Sequence, residues 1–188
     1  RDVAPSRGLG DVYKRQAMAA SRLIFNTRCQ IAEMFDVWGP ECVAFTSNDT
    51  EALNIALQGT LHPEEETIHA ICTEMDHNSV LRPLYRLEKK GMELTILPAD
   101  RKGRISLKEL EAAIRPDTKV IVCTHASNLT GNLNDIHAIG EIAQKHQKLF
   151  IVDAAQTAGV FPISMKKDHI DILCFSGHKG LMLSLIHI

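Results

Sequence analysis

The chain has 188 residues, which is enough for one ordinary domain with a substantial core. Its hydrophobic fraction of 45% and charged fraction of 23% are typical of a soluble globular protein. The formal net charge of −2 gives no electrostatic reason to expect a nucleic acid or an anionic membrane as partner. No apolar run approaches the roughly 20 residues that a membrane-spanning helix needs, so we expect no membrane association.

The cysteines indicate a reducing compartment. None of the five forms a C-x-x-C pair, and four lie in or beside apolar runs. Reduced, buried core residues are the simplest interpretation, and the spacing does not suit a zinc site. The first residues also lack the charged-then-apolar plan of a secretory signal. These observations predict a cytoplasmic protein without a bound metal.

The two ends of the chain differ in pattern from the part between them. Residues 1–16 have no apolar periodicity, and residues 183–188 interrupt a motif described below. Both resemble translated adapter or library sequence. We therefore expect a non-native leader over residues 1–16, a non-native tail over residues 183–188, and one incomplete domain over residues 17–182.

In chain order, the central segment alternates helix-type and strand-type patterns. Apolar residues at helical spacing predict helices over residues 17–37, from about residue 50 to Gly59, over residues 79–90, from the capping box Ser106–Glu109 to Ile114, and from Asn134 onward. Short apolar runs predict strands over residues 41–46, 67–72, 93–97, 119–124, 149–152 and 170–175. Strands of this kind, separated by helices, predict an α/β fold in which helices cover both faces of a mostly parallel sheet.

Polar clusters follow five of the predicted strands. They comprise residues 47–50, 76–79, 125–128, 153–156 and 176–179. Because ligands of parallel sheets bind outside the carboxyl ends of the strands, we expect these clusters to converge on one site.

The last cluster carries the motif Ser176-Gly177-His178-Lys179-Gly180 directly after an apolar run. This segment resembles the one that bears the Schiff-base lysine in the class V aminotransferase family, and within it in the cysteine desulfurases and selenocysteine lyases. The resemblance covers residues 17–182 and implies the large domain of a fold-type I enzyme that binds pyridoxal 5'-phosphate (PLP). It implies that Lys179 bonds to the PLP aldehyde and that Ser176 and His178 bind the phosphate. A lysine amine is nucleophilic only when deprotonated, which a semi-buried position near cations favours.

Two further motifs extend the resemblance to groups that would bind the pyridine ring. In Asp153-Ala154-Ala155-Gln156, the resemblance implies that Asp153 pairs with the ring nitrogen and keeps the ring an electron sink, while Gln156 bonds to the phenolic oxygen. In His125-Ala126-Ser127-Asn128, it implies that Asn128 also bonds to that oxygen. We interpret His125 as a structural residue.

The two remaining motifs lie earlier in the chain. Glu74-Met75-Asp76-His77-Asn78 resembles the family's E-x-x-H-N segment and implies that His77 stacks on the ring and takes part in proton transfer. The run from Ser47 to Asn54 resembles the phosphate-binding turn of the family, with Asn48-Asp49 where Gly-Ala is commoner. There the backbone amides and the Thr50 hydroxyl would bind the phosphate. Asp49 counts among the cofactor-binding residues on condition that its carboxylate turns away.

The resemblance implies a PLP-dependent, cysteine desulfurase-like enzyme that removes sulfur or selenium from cysteine-type amino acids. It also implies a homodimer when the chain is complete, and a sulfur-acceptor protein. The persulfide cysteine of the family follows the lysine motif, whereas all five cysteines here precede Lys179. We therefore expect the chain to be a fragment that is inactive by itself. The alternatives are another class V enzyme, either an aminotransferase or a β-eliminating lyase, and a non-catalytic α/β scaffold.

Overall fold

The computed structural model describes residues 9–64 and 67–182. The chain divides into two units, residues 1–45 and residues 46–188. The expected tail at residues 183–188 and the first half of the expected leader, residues 1–8, lie outside the described residues. Whether the two ends are native stays a prediction. No helix in the described ranges combines the length and apolar composition needed to cross a bilayer.

The first unit is helical. Helix α1 spans Leu9–Met34, and so begins eight residues before the predicted start at residue 17. A short 3₁₀ helix, Pro40–Cys42, stands where a strand was predicted over residues 41–46. That prediction was wrong: Pro40 has its fixed backbone angle at the first helical position, and Cys42 and Phe45 stay exposed rather than entering a sheet.

The second unit is built on a five-stranded sheet in the order β2-β1-β3-β4-β5. The strands are β1 His69–Thr73, β2 Glu93–Leu97, β3 Thr118–Thr124, β4 Leu149–Asp153 and β5 Ile172–Cys174. Every neighbouring pair is parallel. Five of the six predicted strands therefore form, with ends within two residues of the prediction, and the predicted α/β fold with a parallel sheet is confirmed.

Four helices connect these strands or lead into the sheet. They are α2 Asp49–Thr60, α3 Asn78–Glu88, α4 Leu107–Ala113 and α5 Ile136–Lys145. Each begins at a side chain that accepts a hydrogen bond from a first-turn amide, as helix starts require. Ser106 does so for Glu109 N at 3.3 Å, which confirms the serine half of the predicted capping box. Helix α2 continues through Gly59, and α3 accommodates Pro83 in its interior.

The core lies between the sheet and helices α2 and α3. Leu53, Leu57 and Leu84 are fully buried against the strand residues Val120 and Ile151. These strands are buried along nearly their whole length, as expected for a parallel sheet covered on both faces. The packed sheet fixes where each strand ends, and therefore where the following polar residues begin.

Candidate active site

A cavity of about 240 Å³ lies at the carboxyl end of the sheet. All nine residues that the sequence singled out contribute to its lining: Asp49, Thr50, His77, Asn128, Asp153, Gln156, Ser176, His178 and Lys179. The rest of the lining consists of Asn48, Ser79, Thr124, Ala126 and Ala155, which the sequence did not single out. The expected convergence of the polar clusters on one cavity is therefore observed.

The sheet order explains the position of the cavity. From β1 the chain crosses to β2 on one side, whereas β3 pairs with β1 on the other. Connections that leave neighbouring strands in opposite directions open a crevice above the strand ends, where parallel sheets bind ligands. His77 follows β1, and Thr124 ends β3, so the two sides of the crevice face each other there.

Asp76 holds this crevice together, and sequence reasoning missed it. Its Oδ2 accepts hydrogen bonds from Thr73 N at 2.7 Å and Thr73 Oγ1 at 2.8 Å, and its Oδ1 accepts from Thr124 N at 2.5 Å. Burial raises the pKa of Asp76 to about 7, against the opposite effect of these three donors. One buried carboxyl thus connects the ends of β1 and β3. Its place in a polar cluster was visible in the sequence, but its burial was not.

His77 both caps a helix and lines the cavity. Its Nδ1 accepts a hydrogen bond from Ser79 N at 3.2 Å and lies 2.9 Å from Ser79 Oγ. Because an amide can only donate, Nδ1 is the acceptor, and a neutral His77 carries its proton on Nε2. The cap fixes the ring orientation while the side chain stays exposed to the cavity.

Two carboxyl groups face each other inside the cavity. Asp153 ends β4 and is buried, and its Oδ1 accepts a hydrogen bond from Ala155 N at 2.9 Å. Asp49, in the first turn of α2, is also buried, within hydrogen-bonding reach of Asp153. Burial is the largest cause of the shift and raises the pKa of both carboxyls. The second cause differs between them: the Asp153 charge raises the pKa of Asp49, whereas the hydrogen bond from Ala155 N–H lowers the pKa of Asp153. The Asp49 side chain thus turns inward, towards Asp153.

Lys179 stands in a turn that is held by close backbone packing. A Cβ added at Gly180 would lie 2.3 Å from Ala158 O, so only glycine allows the two segments this approach. Met182 N donates to Lys179 O at 2.9 Å. Lys179 is exposed, so the expected semi-buried position is wrong. The charged groups on which it acts are the carboxyls of Asp49 and Asp153, and not the cations that the sequence led us to expect. The turn lies at the cavity mouth, after a strand of only three residues.

The start of α2 offers free donors to the cavity. Asn48 Oδ1 accepts from Glu51 N at 2.9 Å, and Glu51 Oε2 accepts from Ser47 N at 2.6 Å. This reciprocal cap leaves the amides of Asp49 and Thr50 without intrahelical acceptors, as in the first turn of any helix. Together with the Thr50 hydroxyl they form a donor set suited to an anion.

Asn128 and Gln156 expose their amide side chains at the rim of the cavity. A tight turn positions Asn128, since Gly131 N donates to Ser127 O at 2.9 Å and Ser127 N donates to Asn132 O at 3.0 Å. His125 is buried and lines a different cavity, beside Phe161. This placement agrees with its interpretation as a structural residue.

The fold and site together define a class. The sheet is parallel, Lys179 lies in the turn after β5, the Asp153 carboxyl ends the neighbouring strand β4, and both line one cavity with the start of α2. The chain belongs to the class V aminotransferase family, whose sequence model matches residues 6–184.

The relatives that the chain resembles are cysteine desulfurases. It is 37% identical over 167 residues to the cysteine desulfurase IscS of Vibrio atlanticus (strain LGP32), covering 88% of this chain and 41% of that protein. The apo structure of a cysteine desulfurase from Thermococcus onnurineus NA1 matches with a TM-score of 0.79 and 32% identity, over 88% of this chain and 41% of that one. A structure of SspA in complex with cysteine matches with a TM-score of 0.83 and 33% identity, over 87% of this chain and 49% of that one. The chain thus spans about two fifths of the length of the curated relative.

Proposed function

We propose that this chain carries the PLP site of a cysteine desulfurase-like enzyme. The observation that carries the proposal is the cavity at the strand ends, which brings Lys179 to Asp153 although 26 residues separate them in the chain. Electrostatic coupling between the two supports it, since Lys179 lowers the pKa of the Asp153 carboxyl. A lysine amine and a buried carboxyl at one cavity are the two groups that a pyridine aldehyde needs.

The described residues fit PLP by the chemistry of their donors. The first-turn amides of α2, the Thr50 hydroxyl, Ser176 and His178 form a set of donors that suits the phosphate dianion. The buried Asp153 carboxyl suits a protonated ring nitrogen. Asp49 is the single misfit for a phosphate, but its carboxyl faces Asp153 instead. When bound, PLP would supply an electron sink for carbanion chemistry at the substrate α-carbon.

Five of the lining residues then have a role beside the ring or the reacting atoms. Lys179 holds the cofactor and exchanges protons with the substrate, and Asp153 holds the proton on the ring nitrogen. His77, whose ring is oriented by Ser79, would stack on the pyridine ring and take part in proton transfer. Asn128 and Gln156 donate to the phenolic oxygen from the rim.

The substrate follows from the relatives. They are cysteine desulfurases, and SspA binds cysteine, so we infer cysteine or selenocysteine as substrate and a second protein as the sulfur acceptor. A homodimer and a cytoplasmic location belong to the same proposal. The buried cysteines are unsuited to accept sulfur. Burial raises the thiol pKa of Cys174 to about 12 and also raises the thiol pKa of Cys72 and Cys123, so none of the three is a ready nucleophile.

The test is covalent trapping of the cofactor. The chain is incubated with PLP and reduced with borohydride, which converts a carbon–nitrogen double bond at lysine into a stable single bond. We expect one labelled peptide, the one containing Lys179, by mass spectrometry. The Lys179→Ala variant should lose the label, whereas the control Lys89→Ala, at the exposed end of α3, should keep it. Labelling at other lysines only would refute the site.

Product analysis separates the candidate reactions. With cysteine and a thiol reductant, a desulfurase gives alanine and sulfide, an aminotransferase gives a keto acid, and a scaffold binds no PLP. Because whole relatives are longer, the assay uses a chimera in which residues 46–182 replace the matching part of the Vibrio relative. In that chimera Asp153→Asn should bind PLP and turn over far more slowly, because the ring loses its charged partner.

A further inference from the structure

Asp49 is the residue of the cavity that departs most from the pattern of the family. It stands where a small residue is commoner, at the first position of α2, and its buried side chain lines the same cavity as Asp153. Only 7% of the residue is exposed, and its Oδ1 has no hydrogen-bond partner within the described part of the chain. A buried acid with an unused oxygen needs either a proton or a ligand.

Both carboxyls are buried and line one cavity, and a hydrogen bond between two carboxyl groups needs a proton on one of them. The partners of each acid decide where the proton resides. Asp153 accepts from Ala155 N at 2.9 Å and is stabilised as an anion by Lys179 and His77. Asp49 is stabilised by Lys179 alone among these and is destabilised as an anion by Asp153. These partners favour the ionised form of Asp153, and so favour a proton on Asp49.

We propose that Asp49 is a positioning residue that donates its carboxyl proton in a hydrogen bond to Asp153 and so keeps Asp153 ionised towards the ring nitrogen of PLP. This inference rests on the proposed function and adds a residue to it. Asp49 acts through Asp153 and need not touch the cofactor. The same hydrogen bond explains how a carboxyl is tolerated beside a phosphate-binding helix start: it is neutral.

The groups that face Asp49 and Asp153 are Lys179 from the turn after β5, Cys174 within β5 and His77 from the start of α3. Asp76 also acts on Asp153 from the end of β1. Lys179 lowers the pKa of both acids. When its amine holds PLP this effect would weaken, which would favour a proton on Asp49 further. The charge state of the pair is thus set by residues that belong to or follow β1 and β5.

Two variants separate donation from simple presence. Asp49→Asn keeps an N–H donor at the same place, whereas Asp49→Ala removes it. Asn48 remains as the cap in both, so α2 keeps its start. The matched control is Asp135→Asn at the start of α5, outside the cavity, where asparagine caps as well as aspartate.

The first measurement is made without PLP: a carbon-13 NMR titration of the aspartate carboxyls. We expect Asp153 to titrate at higher pH in Asp49→Ala than in Asp49→Asn, by about one pH unit, because a hydrogen bond to a charged acceptor is worth about that much. The control should leave Asp153 unchanged. Equal titration of Asp153 in the two Asp49 variants would overturn the proposal, whatever the protein does with PLP.

The second measurement uses PLP labelled with nitrogen-15 at the ring. We expect the ring nitrogen to be protonated in the unsubstituted protein, largely so in Asp49→Asn, and shifted towards the unprotonated signal in Asp49→Ala. An unshifted signal in Asp49→Ala would also overturn the proposal. A protein that fails to bind PLP while the carboxyl titration behaves as expected would instead refute the proposed function and leave the carboxyl pair intact.

Discussion

Substituting Asp76 by alanine should weaken the fold at the base of the site. The change removes the acceptor of three hydrogen bonds, from Thr73 N, Thr73 Oγ1 and Thr124 N, in a residue that is only 6% exposed. The hydroxyl can rotate to another acceptor, but the two amides cannot. Each buried amide left without a partner costs about 1–3 kcal/mol, so the free energy of unfolding should fall by about 2–6 kcal/mol.

The pH dependence of this loss has a definite sign. Burial raises the folded-state pKa of Asp76 from the usual 3.8 to about 7. The stabilisation that results is full below the unfolded pKa and is lost as the pH rises through about 7. The variant lacks this group, so the difference in the free energy of unfolding between the two proteins should narrow as the pH rises from about 4 to about 7, by at most about 4 kcal/mol in total, and should stay constant above that.

Urea unfolding followed by far-ultraviolet circular dichroism measures both effects. The control is Glu88→Ala, an exposed acid at the end of α3, which should change stability by less than about 0.5 kcal/mol. An Asp76→Ala protein as stable as the control at about pH 6, or a difference that widens as the pH rises, would refute the account of Asp76.

Two further predictions concern the Lys179 turn and the opposite end of the sheet. Gly180→Ala should destabilise the protein by about 1–3 kcal/mol and reduce PLP labelling of Lys179, because the added Cβ meets Ala158 O. The control Gly59→Ala has open space around the added Cβ in α2 and should stabilise the protein by about 0.5–1 kcal/mol. Equal urea midpoints for these two variants would contradict the packing argument. His69 lies buried between the Thr118 and Thr95 hydroxyls, and burial lowers its pKa below the usual 6.5. The free energy of unfolding should therefore decrease as the pH falls below about 6.5, and His69→Asn should lack that decrease. The same acid-side loss in His69→Asn as in the control, exposed His62→Asn, would show that another group is responsible.

The sequence predicted the sheet well because apolar runs in a parallel sheet are buried on both faces. The runs that form β3 and β4 contain few polar residues, so their pattern differs from that of a surface helix. Their predicted bounds differ little from the observed ones. Residues 41–46 show the limit of that reasoning. Their apolar pattern is similar, but a strand needs a neighbour, and no pattern within six residues shows whether one is present.

The candidate site could be predicted as a set of residues but not as a set of interactions. Strand ends are visible in the sequence, and parallel strands bring their ends to one edge, so the convergence of His77, Asn128 and Lys179 followed from topology alone. The contact between Asp49 and Asp153 did not. They are far apart in the chain, and the direction in which a first-turn side chain points depends on packing that only the folded protein defines.

Three buried acids at one edge of a sheet would be expected to repel one another, and the structure shows a different solution for each. Asp76 is held by donors from two strands, Asp153 by a backbone amide and the Lys179 charge, and Asp49 by its neighbour in the pair. If Asp49 is neutral, the pair carries a single negative charge, which matches the single positive charge of a protonated pyridine ring. A second ionised carboxyl there would raise the cost of burial without a further cation to offset it. The departure of Asp49 from the pattern of the family is therefore compatible with the same cofactor chemistry, provided that its proton stays in place.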